Sequence, residues 1–371
     1  MKGREIRLLV LQSTPFCNLG CTYCYLSEQE RASRNKMNED TIRQAARFIK
    51  ESGFLGERLT ILWHAGEPLS MPISYYQNAI DVLTQELTNC KLRFNFQTNA
   101  VALNQKWCDF ISKNKISIGV SIDGPEEIHN QYRVTKKGQG TFSQTMRGIS
   151  MLKANGISFG TISVITDKSL SKANEIVDFL IGIESDSIGF NIEESERYHA
   201  NSSLESKAEQ VTLFVNEVCE LLNSQNKLHK CREYRDLAQA ILTDDFVRDV
   251  RRGENKLLSI INVSWNGKVS TFSPELCDFE SKEYGNFSFG NVYDGFDSFF
   301  KNPKLKQVQK DINEGILECK KECNYYSFCG GGAPSNKLHE NGSFISTETN
   351  HCIFHKKLFV DQFIKFASQY S

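Results

Sequence analysis

The sequence predicts an α/β protein, a partial (β/α)6 barrel of the TIM type followed by a C-terminal cysteine-rich domain. Three observations predict it. Six short apolar runs alternate with amphipathic stretches through the first 225 residues, as parallel strands joined by crossover helices do. The alternation stops after residue 230, short of the roughly 250 residues that a full eight-unit barrel occupies. From about Trp265 turn residues and cysteines take over. The expected organisation is a barrel over residues 1–228, a bridging region over 229–264 and a cysteine-rich domain over 265–371.

The strands read Arg7–Gln12, Arg58–Trp63, Leu92–Gln97, Ser117–Ile122, Phe159–Ile165 and Ser187–Ile192. Between them, Ile42, Ala45, Ala46 and Ile49 recur at helical spacing, as do Tyr76, Ala79, Ile80, Leu83 and Leu87, so each stripe covers one face of a sheet. Thr141 with Gln144 three residues on predicts a capping box, and Gly156 a stop, for the helix carrying Met146, Ile149 and Leu152. Val211, Phe214, Val215, Val218, Leu221 and Leu222 form the sixth helix. Trp265-Asn266-Gly267-Lys268 predicts a hairpin turn between strands Asn262–Trp265 and Val269–Phe272, and a last amphipathic helix runs near Leu358 to Phe366.

Composition excludes several classes. Lys and Arg total 44 against 45 Asp and Glu, and a net charge of −1 gives no electrostatic pull toward nucleic acid or an anionic membrane. No apolar run approaches the roughly 18 residues of a membrane span, and Met1 to Val10 lacks the layout of a signal peptide, so a cytoplasmic location is expected. Twelve cysteines in such a chain argue against a disulfide framework, because cytosolic thiols are kept reduced, and the clustered ones read as metal ligands. No segment before the first strand reads as a dedicated peptide-binding domain. The barrel mouth, the stretch Lys230 to Arg252 with its Arg232, Glu233, Arg235 and Asp236, the second domain or a separate protein would supply the substrate surface.

Cys17, Cys21 and Cys24 follow the first strand with three and then two residues between them, and Tyr25 comes next. Three thiolates from one loop hold three corners of an iron–sulfur cubane and leave one iron without a protein ligand. A structural zinc completed by a distant residue such as His64, or three unrelated buried thiols, are the other readings of the spacing. This motif resembles the defining motif of the radical S-adenosylmethionine superfamily. The resemblance implies a 4Fe-4S cluster whose open iron chelates S-adenosylmethionine and whose electron releases a 5′-deoxyadenosyl radical.

Further segments resemble that family's cofactor site. His64-Ala65-Gly66-Glu67-Pro68 is similar to its Gly-Gly-Glu-Pro element, with Ala65 in place of the first glycine. The resemblance implies that Gly66, Glu67 and nearby carbonyls receive the cofactor's ammonium group. Gln97-Thr98-Asn99 ends the third strand and Ser121-Ile122-Asp123-Gly124-Pro125 the fourth, with His129 and Arg133 beyond. By resemblance Gln97 and Asn99 join the cofactor site, Ser121 and Asp123 contact the ribose hydroxyls, and Arg133 meets the cofactor carboxylate. Residues at the carboxyl ends of parallel strands share one mouth.

Cys319, Cys323, Cys329 and Cys352 offer four more thiolates on loops, enough to saturate either a 4Fe-4S cluster or a zinc ion. Their layout resembles the SPASM domain of peptide-modifying radical S-adenosylmethionine enzymes, which implies an auxiliary cluster. Complete SPASM domains carry seven cysteines for two clusters. Here Ala333 and Gly295 stand where two of them would be, so one auxiliary cluster is expected and two clusters in all. Cys277, Cys90, Cys108, Cys219 and Cys231 are expected to be unligated.

Phe272-Ser273-Pro274-Glu275-Leu276, the segment from Cys329 to Lys337, and Ser346-Thr347-Glu348-Thr349 resemble the maturases of glycine-rich-repeat peptides and related cyclophane-forming enzymes. The resemblance implies a ribosomally made precursor peptide as substrate, and an electron donor such as flavodoxin or ferredoxin as partner. The expected product is a carbon–carbon link between an aromatic ring and a neighbouring β-carbon. Restoring the aromatic ring removes one electron and one proton, and Glu193 and Glu194, just past the sixth strand, are the expected bases. Formylglycine formation, thioether crosslinking, and a zinc-stabilised binding protein are the rival readings.

Overall fold

Apolar runs buried on both faces assemble one parallel sheet. β1 (Ile6–Leu11), β2 (Leu55–Trp63), β3 (Lys91–Thr98), β4 (Ser117–Ser121), β5 (Phe159–Ile165) and β6 (Ser187–Ile192) lie side by side in chain order. Each is parallel to the next. The structure is a computed structural model that describes residues 5–199, 201–242 and 253–368. Residues 243–252 of the expected bridging region, and the extreme termini 1–4 and 369–371, lie outside the described residues.

Helices Glu39–Glu51, Ile73–Glu86, Gln105–Asn114, Phe142–Ala154, Ala173–Gly182 and Ala208–Ser224 carry the chain over the sheet. The apolar stripes read from the sequence face inward: Ile42, Ala45, Ala46 and Ile49 are buried on the first, and Tyr76, Ala79, Ile80 and Leu83 on the second. Trp63 at the end of β2 is fully buried, its ring centroid 5.1 Å from that of Tyr76 and 5.0 Å from that of Phe96. This aromatic group anchors the sheet directly beneath the loops at the strand ends.

The capping box expected at Thr141 does not form. Thr141 is the N-cap residue of Phe142–Ala154, yet its side chain makes no capping bond. Its hydroxyl donates instead to the Arg133 carbonyl at 2.8 Å and lies 3.1 Å from His129 Nε2. Asn130 Oδ1 accepts from the Phe142 N–H at 2.9 Å and so satisfies one of the helix's orphan donors. Gly156, with φ +63°, follows the helix as expected.

The hairpin forms as β7 (Ile260–Val263) and β8 (Lys268–Thr271), with Val263 opposite Val269 and Gly267 at φ +85° in the turn. It does not stand apart from the barrel. β7 runs parallel beside β1, with Leu8 to Leu11 in register with Ile260 to Val263. Two-residue strands β9 (Glu280–Ser281) and β10 (Gly285–Asn286) pair with each other, and β11 (Gly290–Asn291) adds to β8. The result is a nine-stranded sheet in the order β11-β8-β7-β1-β2-β3-β4-β5-β6, which runs across residue 265.

The C-terminal part grips both ends of the six-strand unit. Phe296 and Phe299 of helix Gly295–Lys301 pack on Phe48 with centroids 5.3 and 5.5 Å away, and each buried ring contributes about 1.5–3 kcal/mol. At the other end helix Leu358–Ala367 lies on Ala208–Ser224, where Gln362 Nε2 donates to Asn216 Oδ1 at 2.7 Å. Among the described residues no helix is long and apolar enough to cross a membrane.

Candidate active site

The loop after β1 is stitched down by backbone bonds. Cys17 N–H donates to the Arg31 carbonyl (3.1 Å), Gly20 N–H to Val134 (2.8 Å) and Thr22 N–H to Tyr132 (3.1 Å). Its three thiols, Cys17, Cys21 and Cys24, all line one cavity of about 270 Å³ at the carboxyl ends of the strands. Burial pushes all three thiols up, Cys21 to about 11 even though the Arg133 guanidinium opposes the rise. They therefore hold their protons at neutral pH unless a metal displaces them.

Four thiolates on one zinc ion at about 2.3 Å lie only ~3.8 Å apart. Among the described residues, only Glu194, His351 and His355 bring three ligand atoms within 4.8 Å of one another. Neither cysteine set does so, with or without His64. His64 is half-buried, its desolvated ring has its pKa lowered to about 4, and its Nε2 lies 3.3 Å from the Tyr25 hydroxyl. Three thiols from one loop suit three corners of a 4Fe-4S cubane.

The residues expected to hold the cofactor fall on the walls of the same cavity, with one exception. Ala65 and Gly66 both take positive φ, +66° and +104°, and a Cβ on Gly66 would stand 2.2 Å from the Thr14 carbonyl. The turn delivers Glu67, whose Oε1 accepts from Thr98 Oγ1 (2.6 Å) and Leu69 N–H (2.9 Å), and whose Oε2 accepts from Asn99 N–H (2.9 Å). Burial nevertheless raises its pKa. Gln97 Nε2 donates to Ser121 Oγ at 2.9 Å, and Asn99 Nδ2 reaches Asn18 Oδ1 at 2.8 Å.

Asp123 is the exception, 1% exposed and set behind Arg133. Its Oδ1 accepts from Arg133 Nε (2.9 Å) and Val164 N–H (3.0 Å), and its Oδ2 from the Tyr23 hydroxyl (2.6 Å). Arg133 itself lines the cavity. Burial alone would lower the pKa of this guanidinium, but the Asp123 carboxylate outweighs burial and keeps it charged.

The far wall is acidic. Glu193 accepts from His199 Nε2 (2.9 Å), from Ser203 N–H (2.7 Å) and from the Ser203 hydroxyl. Burial pushes its carboxyl up, but these bonds prevail and hold it below its ordinary value. Glu194 is held low too: its burial is outweighed by His351 Nδ1 at 2.8 Å and His355 Nε2 at 3.3 Å. Asn336 Nδ2 also donates to Glu194 from the C-terminal part. Glu196 and Glu275, which sequence reasoning did not select, line the same cavity. Burial and the charge of Glu194 raise both, Glu275 to about 7. Membership of Glu275 in the Phe272 to Leu276 segment was the only sequence signal for it.

The second cysteine set lies on helices rather than on the expected loops: Cys319 in Pro303–Glu322, Cys323 at its C-cap, Cys329 ending Tyr326–Cys329 and Cys352 ending Asn350–Cys352. Cys319 receives Lys337 Nζ at 3.2 Å, and Cys329 Sγ accepts from Gly331 N–H at 3.5 Å. Burial raises the Cys352 thiol to about 12, with Cys329, Cys323 and Cys319 each adding to the rise, so the four are near neighbours. Cys277 lies elsewhere, beside Ser270 and Asp278, on the wall of a different cavity. Cys108, Cys219 and Cys231 are buried and Cys90 half-buried.

Comparison with known proteins bears on the family and the fold. The sequence model described as the radical SAM superfamily matches residues 11–180. The chain is 35% identical over 355 residues to the uncharacterized protein sll1766 of Synechocystis sp., covering 94% of this chain and 88% of that protein. It is 25% identical over 345 residues to the cysteine-type anaerobic sulfatase-maturating enzyme of Clostridium perfringens, covering 88% of each. Among solved structures, native anSMEcpe with bound AdoMet and Kp18Cys peptide shares the fold with a TM-score of 0.79 and 22% identity, over 98% of this chain and 99% of that one.

Proposed function

This chain belongs to the radical SAM superfamily, and from that premise we propose that it matures a ribosomally made precursor peptide by forming a carbon–carbon crosslink. One observation carries the reading: three thiols from one loop, Arg133 and four carboxylates beyond Glu67 converge on one cavity. Cys17, Cys21 and Cys24 would hold a 4Fe-4S cluster with one iron free for S-adenosylmethionine, and Cys319, Cys323, Cys329 and Cys352 a second, saturated one. When bound, the first cluster and S-adenosylmethionine supply a 5′-deoxyadenosyl radical that takes a hydrogen atom from a substrate β-carbon.

The chain's own residues position the reactants. Arg133, clamped by Asp123, would meet the cofactor carboxylate, and Ser121, oriented by Gln97, a ribose hydroxyl. The turn at Gly66 and Glu67 with Asn99 would receive the ammonium end. After the carbon radical adds to an aromatic ring, restoring the ring releases one proton and one electron. Glu193 and Glu194, both held ionised by their partners, offer the proton an acceptor at the mouth. The second cysteine site offers the electron its acceptor. An external donor such as flavodoxin or ferredoxin would recharge the first. The expected divisions at 228 and 264 enter this reading as functional regions within one continuous sheet.

The test is anaerobic co-expression with candidate precursor peptides, followed by tandem mass spectrometry and NMR. Loss of two hydrogens mapped to an aromatic carbon and a β-carbon is the expected result. The likeness to a sulfatase-maturating enzyme over 88% of each chain favours a second reading, oxidation of a Ser or Cys to formylglycine. An aldehyde in the product would establish that reading, and a bond to Cys sulfur would establish thioether formation. A colourless, zinc-loaded protein would exclude all three.

A further inference from the structure

We propose that Lys337 is the counter-charge of the second cysteine site and raises the reduction potential of the cluster held there. The inference rests on the reading that Cys319, Cys323, Cys329 and Cys352 bind a 4Fe-4S cluster. Lys337 is 3% exposed, although lysine is almost never buried without a partner. Its Nζ donates to Cys319 Sγ at 3.2 Å and to the Gly315 carbonyl at 3.1 Å. Neither acceptor is a carboxylate. A buried ammonium facing only a carbonyl and a neutral thiol is strongly unfavourable, whereas one facing a metal-bound thiolate is balanced.

The backbone is shaped around this side chain. A Cβ on Gly315 would stand 2.0 Å from the Phe344 carbonyl and 3.3 Å from Lys337 Nζ, so only glycine lets the helix approach so closely. On the other side Gly332 lies beside Lys337 Cε, its Cβ position 3.7 Å away. The ammonium is thus fixed between the helix that carries Cys319 and the loop that follows Cys329.

The electrostatic consequence has a definite sign. Four thiolates and an added electron build negative charge in a site with little water, where a nearby cation is poorly screened. A fixed positive charge and an N–H···S bond at a ligand sulfur favour the form with one more electron, which raises the potential. That is the direction an electron acceptor requires. The residue before it, Asn336, donates to Glu194 at the cavity mouth, so one turn of helix Pro334–Asn341 touches both the proposed proton acceptor and the proposed electron acceptor.

The test is a redox titration of the reconstituted full chain followed by electron paramagnetic resonance, comparing wild type with Lys337→Met and Lys337→Gln. Iron content is measured on each sample. Lys337→Met should keep its iron and shift the second cluster's one-electron reduction equilibrium about tenfold toward the oxidised form, which is ~59 mV, while the first cluster stays in place. Lys337→Gln, neutral but still a donor, should shift less. An unmoved midpoint in a fully loaded Lys337→Met protein overturns the proposal. Loss of four irons from both variants would assign Lys337 to cluster assembly and overturn its role in potential. Wild type with no second cluster would instead remove the reading on which the inference rests, and the iron count identifies that case.

Discussion

Arg133 Nε donates to Asp123 Oδ1 at 2.9 Å, with the two side chains only 9% and 2% exposed. Because the same carboxylate takes the Tyr23 hydroxyl and the Val164 N–H, it ties the cysteine loop, the Arg133 segment and β5 to one point. Removing one partner of a buried pair strands the other, and Asp123→Ala is expected to destabilise the protein by about 3–5 kcal/mol. Affinity for S-adenosylmethionine should fall with it, although Asp123 lies behind the cavity wall. Denaturant unfolding and equilibrium binding measure the two effects, and an unchanged unfolding midpoint would sink the assignment.

Replacing Cys17, Cys21 and Cys24 together with Ala should remove about half of the iron, since one of two 4Fe-4S clusters is lost. Production of 5′-deoxyadenosine should cease. Cys277→Ala should leave the iron count unchanged, because Cys277 lies apart from the four-cysteine set. Loss of iron from the Cys277 variant would require a third cluster.

Gly66→Ala should disrupt the cofactor turn, since the new Cβ would stand 2.2 Å from the Thr14 carbonyl at φ +104°. Ala65→Gly runs the other way. Ala65 sits at φ +66°, a left-handed conformation that costs a residue with a Cβ about 1–2 kcal/mol. Some of that gain is returned to the greater freedom of glycine in the unfolded chain, so a rise of up to about 1 kcal/mol is expected. Thermal unfolding of the two variants should move in opposite directions.

Burial, with the negative charge of Glu194 adding to it, pushes the Glu275 carboxyl up to about 7 from an ordinary 4.5. Between those values the folded state binds a proton that the unfolded state has released, so this group's stabilisation is lost as pH rises through 7. Glu275→Gln should therefore gain stability relative to wild type from pH 4.5 to pH 8, by on the order of 1–3 kcal/mol. A constant difference across that range would contradict the raised value.

β1 to β6 are legible in the sequence because strands covered on both faces read as continuous apolar runs, and their crossover helices carry a separate, helical period. The place of β7 is not legible, because Ile260 reads as an ordinary apolar residue until the sheet brings it against Leu8. The capping box at Thr141 fails for a similar reason: the pattern is local, but the hydroxyl is claimed by the Arg133 carbonyl. In the candidate site the thiols of Cys17, Cys21 and Cys24 are legible because one loop supplies them all. Glu196 and Glu275 carry no comparable signature: what distinguishes both is burial beside Glu194, to which Glu275 comes from a distant part of the chain. Asp123 reads as a ligand in one dimension and stands behind Arg133 in three.

The position of β7 also sets a schedule for the chain as it leaves the ribosome. β1 is made before both of its neighbours and gains β2 first, but its other neighbour begins at Ile260. At about 5–20 residues per second that neighbour follows roughly 10–50 s later. Throughout that interval one edge of β1, with the cysteine loop at its end, presents unpaired backbone groups that invite association with other chains. A chain halted after β6 would keep that exposed edge indefinitely, so synthesis of the C-terminal part also ends a period of exposure for the first cysteine site.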